Sequence, residues 1–361
     1  MRKLSNLKKV GCLTFVAATL LTSLHSPASS IAGSPEDESC QRYDLAVQLV
    51  PSDPAQHFIA GWLCATAAYA GQTVIIASPT GLATHAYWDW PQDKDAYSFV
   101  RNFTEAGYAV FNYDRIGTGE SDRPAAALVT VQSEAFLLHQ LVGRLRAGAI
   151  GGVTFGKVAL AGNSLSTLIQ IFEAEKYQDV NALINTGVFV GPSPVGLATL
   201  FASFYPAQLD PKFAGNPDIP PGYMTTLPGA RAQFFHLPTA EEATVQLDED
   251  LKDTATVGEF ATFGTWIPFT QLVSVPVLSV VGDHDILACL TVCEPGGIET
   301  TKEQLFWSPA TCLEIQILPD AGHFVQLQRG SAAAFTTLAQ DWLSRRVGLD
   351  NTQPATQPCN A

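Results

Sequence analysis

A serine stands between small neighbours in Gly162-Asn163-Ser164-Leu165-Ser166, where an apolar run (Lys157–Ala161) gives way to a helical stretch (Leu165–Tyr177). A sharp turn from strand to helix lifts such a hydroxyl above a sheet. It also aims the N–H of the next residue, Leu165, at an incoming carbonyl oxygen. A serine nucleophile needs a base, and the base needs a carboxylate to orient it. Six histidines lie beyond the N-terminal segment: His57, His85, His139, His236, His284 and His323. His323, in Pro319-Asp-Ala-Gly-His-Phe324, follows the last apolar run and precedes the final helical stretch, the kind of loop in which catalytic groups gather. The acid is expected in Val280-Val-Gly-Asp-His-Asp-Ile286, with Asp285 beyond the turn and Asp283 holding it. The chain order is then Ser164, Asp285, His323.

These residues need a frame, and the hydrophobic pattern supplies one. Strands are expected at Gln41–Val50 and His57–Leu63, around the turn Pro51-Ser-Asp-Pro54. Short apolar runs then alternate with helical stretches, as in a mostly parallel sheet with helices on both faces. The strands are Thr73–Ala77, Ala109–Tyr113, Lys157–Ala161 and Ala182–Gly187; the helices are Asp95–Ala106, Val131–Ala147 and Leu165–Tyr177. From 191 to 270 the alternation stops and aromatics accumulate, among them Phe201, Phe204, Phe234, Phe260, Phe263, Trp266 and Phe269. So long a stretch is expected to be an inserted lid. Its aromatics either fill the lid's own core or face an apolar substrate. The alternation resumes with strands at Val275–Val281 and Leu313–Leu318 and a helix at Ser331–Arg346. The expected division is a core in two parts, 33–190 and 271–348, the lid 191–270, and a polar tail 349–361.

With these motifs in place the chain resembles the α/β-hydrolases over roughly Leu45 to Arg346. The resemblance implies an eight-stranded, mostly parallel sheet. It reads Ser78-Pro-Thr-Gly-Leu82 as the loop after the third strand, with Thr80 where His is usual and Gly81 kept. The N–H of Leu82 would join that of Leu165 in an oxyanion hole. Asp114-Arg-Ile-Gly-Thr-Gly-Glu-Ser121 looks like a structural turn of the family; no Lys-Ser/Thr follows to make it a phosphate loop. Asn163 stands where His commonly precedes the nucleophile, and Ser166 where Gly is usual. Neither change removes a triad member. His85, Trp88 and Phe324 are the expected substrate-contacting residues.

The chain has 361 residues, 47% apolar and 15% charged, enough for a substantial core. Its net charge of −14 disfavours a nucleic-acid partner, and no apolar run beyond the N-terminus is long enough to span a membrane. Residues 1–32 read as a signal peptide. Arg2, Lys3, Lys8 and Lys9 precede an apolar stretch, Val10–Leu21, and small residues follow. Cleavage near Ser30 or Ala32 would leave an exported protein of net charge −18.

Six cysteines lie beyond that segment, and export favours disulfides. Folding the first hairpin about residue 52 sets Cys40 opposite Cys64. One of Cys289 and Cys293 is expected to pair with Cys312 and the other with Cys359. No Cys/His spacing resembles a zinc site, and neither a metal nor a cofactor is required. Asn102-Phe-Thr104 is a glycosylation sequon whose asparagine is expected to face outward.

The expected activity is cleavage of a small-molecule carboxylic ester or lactone through an acyl-enzyme. Other chemistry on the same frame (a peptidase, a lyase, a step of secondary metabolism) and a non-catalytic secreted binding protein are the alternatives.

Overall fold

The computed structural model describes residues 40–66, 71–265 and 267–359. The expected signal segment, Trp266 and the Phe269 side chain lie outside them. The described residues open with the hairpin β1 (Cys40–Val47) and β2 (His57–Cys64), followed by β3 (Thr73–Ser78), α1 (Lys94–Tyr97), α2 (Phe99–Glu105) and β4 (Ala109–Tyr113). Next come α3 (Val131–Arg146), β5 (Lys157–Asn163), α4 (Leu165–Tyr177) and β6 (Ala182–Thr186). An insertion then carries α5 (Pro194–Ala202), β7 (Phe204–Pro206), β8 (Tyr223–Thr226), α6 (Glu242–Leu251), β9 (Ala255–Thr256) and α7 (Val257–Thr262). The main sheet resumes with β10 (Val277–Gly282), and α8 (Ile298–Phe306), β11 (Glu314–Leu318) and α9 (Arg329–Arg346) complete the chain.

Eight strands form one sheet in the order β1-β2-β4-β3-β5-β6-β10-β11. β1, β2 and β4 pair antiparallel in sequence, and all remaining pairs are parallel. The central strands β3, β4, β5, β6 and β10 are buried on both faces, so their alternation separates two cores. Val74, Ile76, Val158 and Leu160 pack with Leu138, Leu141 and Leu168 of α3 and α4. Ile75, Ala77, Ala159 and Ala161 pack on the other side with Phe99, Phe103, Phe335 and Trp342 of α2 and α9.

The expected helix at Asp95–Ala106 is two helices. Ser98 takes an extended conformation between α1 and α2, and its side chain accepts from the N–H of Arg101 as an N-cap. The Ser98 hydroxyl also donates to Asp89. The insertion is not a bare loop: β7, β8 and β9 make a small antiparallel sheet of their own. Arg115, buried at the family turn, donates to Glu134 of α3 and Glu259 of α7, tying the insertion to the core.

Cys40 and Cys64 are directly opposed in the β1–β2 register and are bonded, as the hairpin arithmetic predicts. The other pairings differ from expectation. Cys289 bonds to Cys293, four residues on, and Cys312 bonds to Cys359. The segment after β10 turns back tightly, the N–H of Cys289 donating to Asp285 and that of Cys293 to Asp283, so these two cysteines find each other first. In the sequon, Asn102 is half-buried and Thr104 is buried, its hydroxyl donating to the carbonyl of Arg101. No helix among the described residues is long and apolar enough to cross a membrane.

Candidate active site

Ser164 sits between β5 and α4 with φ 54° and ψ −115°, a backbone region that non-glycine residues seldom occupy. The turn is held from below, with the N–H of Ser164 donating to Thr186 of the neighbouring strand at 2.9 Å. Although Ser164 is the N-cap of α4, its side chain makes no capping bond. A Cβ on Gly162 would come within 2.8 Å of the Ser166 backbone, which is why the first small residue is required. The second is more informative. The Ser166 hydroxyl donates to the carbonyl of Pro79, so the residue standing where Gly is usual fastens α4 to the loop after β3.

That loop carries Thr80, Gly81 and Leu82. Leu82 takes the left-handed φ of 65°, and its carbonyl accepts from the N–H of Asp253 at 2.8 Å and from Arg231 Nη1 at 3.2 Å. Both donors belong to the insertion. Arg231 is fully buried and forms a two-bond pair with Asp248, both contacts 2.7 Å. A Cβ on Gly81 would lie 3.4 Å from the Leu165 side chain, so this loop and the first turn of α4 are in direct contact. The N-terminus of a 13-residue helix presents unpaired N–H groups and a partial positive charge at that point.

Beyond the other edge of Ser164 lies His323, whose Nδ1 is 3.0 Å from both oxygens of Asp285. Asp285 is fully buried, and its Oδ1 also accepts from the N–H of Leu287 at 2.8 Å. Asp283 holds the turn, its Oδ1 accepting from the N–H of Ala321 and contacting His284 Nδ1 at 2.7 Å. Asn163 Nδ2 donates to Thr186 Oγ1 and to the carbonyl of His323, fixing the histidine loop against β5. Gly187 gives the ring its room: a Cβ there would lie 2.9 Å from His323 Cε1 and 2.6 Å from Asn163 Nδ2.

Ser164, His323, Thr80, Leu82 and Leu165 all line one cavity. Its remaining wall is apolar: Leu200, Phe201, Phe204, Ala255, Phe260 and Phe263 come from the insertion, and Phe234 and Phe324 close it beside the histidine. Phe204 and Phe260 stack at 4.7 Å, so these aromatics both pack on each other and face the cavity.

Of the three residues expected to contact substrate, Phe324 lines this cavity, while His85 and Trp88 do not. Trp88 is fully buried, its indole N–H donating to the carbonyl of Ser78 at 2.7 Å. His85 tilts over Trp62 at 4.0 Å and sets Nδ1 2.9 Å from Asp114. Burial opposes the charge on His85, but Asp114 outweighs it and raises the imidazole pKa. Trp88 thus buttresses the start of the Ser78–Leu82 loop, whereas His85 packs between Trp62 and Asp114. Gly187, Arg231 and Asp253 were not picked out in the sequence. Only Gly187, a glycine at a strand's end, carries a local signal there.

The alpha/beta hydrolase family profile matches residues 74–335. Among solved structures, a bromoperoxidase from Bacillus anthracis is similar at 16% identity, with a TM-score of 0.58, over 83% of this chain and 99% of that one. A monoacylglycerol lipase from Paleococcus ferrophilus is similar at 14% identity, with a TM-score of 0.53, over 80% and 98%. The enol-lactonase from Burkholderia xenovorans LB400 is similar at 15% identity, with a TM-score of 0.54, over 80% and 97%. No curated protein matches the sequence. The family match spans most of the chain, including the serine turn and the histidine loop, and the chain belongs to the alpha/beta hydrolase family.

Proposed function

We propose that the protein is an exported serine hydrolase that cleaves carboxylic esters or lactones bearing an apolar group. The observation that carries this reading is the serine at φ 54°, in a cavity it shares with a histidine already paired to a buried aspartate. In this reading Ser164 Oγ attacks the carbonyl carbon while His323 Nε2 takes its proton. The imidazolium so formed is steadied by Asp285 at Nδ1. Charge gathering on the carbonyl oxygen is met by the N–H groups of Leu82 and Leu165, each such donor contributing roughly 100- to 1,000-fold in rate. His323 then gives the proton to the leaving alcohol, and water repeats the sequence on the acyl-enzyme. The insertion acts as the lid, and its phenylalanines favour an apolar acyl or alcohol group.

A fluorophosphonate probe with peptide mapping tests the assignment. The expected result is a single adduct on Ser164, together with hydrolysis of p-nitrophenyl esters that falls at least about 10⁴-fold in Ser164→Ala. Absence of an adduct on the folded protein, or undiminished hydrolysis by the variant, would refute the reading and favour a binding protein.

A further inference from the structure

Near the N-terminal ends of β5 and β6, away from Ser164, three side chains from separate elements converge. His139 belongs to α3, Glu173 to α4, and Asp179 to the short turn before β6. One donor atom from each lies within 4.8 Å of the other two. His139 Nδ1 is 2.6 Å from Asp179 Oδ2. The ring of Tyr177 stacks flat on His139 at 4.0 Å and fixes its plane.

Glu173 is the informative member. It is fully buried, and neither of its carboxylate oxygens has a hydrogen-bond partner; Asp179 Oδ1 has none either. A buried carboxylate without a partner is costly, and a second one facing it adds repulsion. The nearby cation offsets this only in part, since Arg146 spends Nε and Nη2 on the carbonyl of Asp179 and not on either carboxylate. The cluster therefore calls for positive charge between the two carboxylates. His139 and Asp179 are partly exposed, which leaves a path for an ion and for a water to complete its shell.

We propose that His139, Glu173 and Asp179 hold a divalent cation of the zinc class. One imidazole and two carboxylates form a donor set suited to that ion, which would hold them at about 2.0–2.2 Å. The ion would replace the His139–Asp179 hydrogen bond and clamp α3 to the end of α4. Its role is structural. Asn181, two residues on, bonds to Val158 at the start of β5, whereas Ser164 follows the end of that strand. The spacing escapes a Cys/His motif search because the ligands span 40 residues and include a single histidine.

The test uses the purified chain, stripped with a chelator and titrated with Zn²⁺ by calorimetry and by thermal unfolding. One saturable site per chain and a raised Tm are expected. Glu173→Gln, which keeps shape and loses charge, should weaken binding at least about tenfold and abolish the Tm shift, and His139→Ala should do the same. The His236–His284 ring pair, 3.8 Å apart, is a competing surface site, and His284→Ala should leave zinc binding unchanged. No saturable zinc site, equal binding by Glu173→Gln, loss of binding in His284→Ala, or tighter binding of Ca²⁺ than Zn²⁺ would each overturn the proposal.

Discussion

At the scale of single residues, the site is defined as much by side chains that are missing as by those present. Gly187 has φ 73° and faces the His323 ring, so a methyl group would strain the backbone and push the imidazole. Gly187→Ala should lower kcat by roughly 100-fold, the order expected when a catalytic group is misplaced by about 1 Å. The protein should remain folded by circular dichroism, and wild-type kcat in this variant would contradict the placement. Ser166 shows the reverse case. Its departure from glycine looks like a weakness in the sequence, yet its hydroxyl holds the Pro79 carbonyl. Asn163 likewise takes up a hydrogen-bonding task, to the carbonyl of His323. Sequence reasoning singled out Ser164, Asp285 and His323 because each follows the C-terminal end of a strand; in the structure His323 pairs with Asp285 and lines one cavity with Ser164. It placed His85 and Trp88 wrongly because nearness along the chain to the Ser78–Leu82 loop does not say which side of it a ring occupies.

At the scale of elements, the insertion and the Ser78–Leu82 loop act together. Arg231 and Asp253 both donate to the Leu82 carbonyl, so the insertion helps to hold Leu82 at its left-handed φ. Arg231→Lys keeps the charge beside buried Asp248 but loses the planar fork. The expected outcome is a kcat about tenfold lower, with KM little changed, in steady-state kinetics on a p-nitrophenyl ester. A change confined to KM would mean that Arg231 acts only on binding. Regular elements with a strong period were legible in the sequence: β4 and α4 match their expected bounds, and α3 differs by one residue. The break at Ser98 was hidden because a serine cap inside a helical period looks like one more polar position. α8 was missed, since Ile298–Phe306 lies in a segment read only for its cysteines. The small sheet of the insertion was not seen either, because strands of two to four residues have no measurable alternation.

At the scale of the whole molecule, stability should depend on pH through Glu303. This carboxyl on α8 is buried, and burial outweighs its bonds from Trp307 and the N–H of Val190, raising its pKa to about 7 from 4.5. Between those values the folded state binds more protons than the unfolded chain, so this contribution falls as pH rises and is lost above about pH 7. The change amounts to about 3 kcal/mol. Urea unfolding at pH 5 and pH 8 should show it, and Glu303→Gln should flatten that part of the profile; an unchanged slope in the variant would show that other groups set it. The cysteine pattern has a consequence for how the chain is made. First pairs with second, third with fourth and fifth with sixth along the described residues. A chain oxidised as it emerges, N-terminus first, therefore meets each correct partner before any later cysteine is exposed. Among the cysteines of the described residues, Cys312 is then the one left for Cys359, so their native connectivity can be reached without an isomerase to reshuffle it.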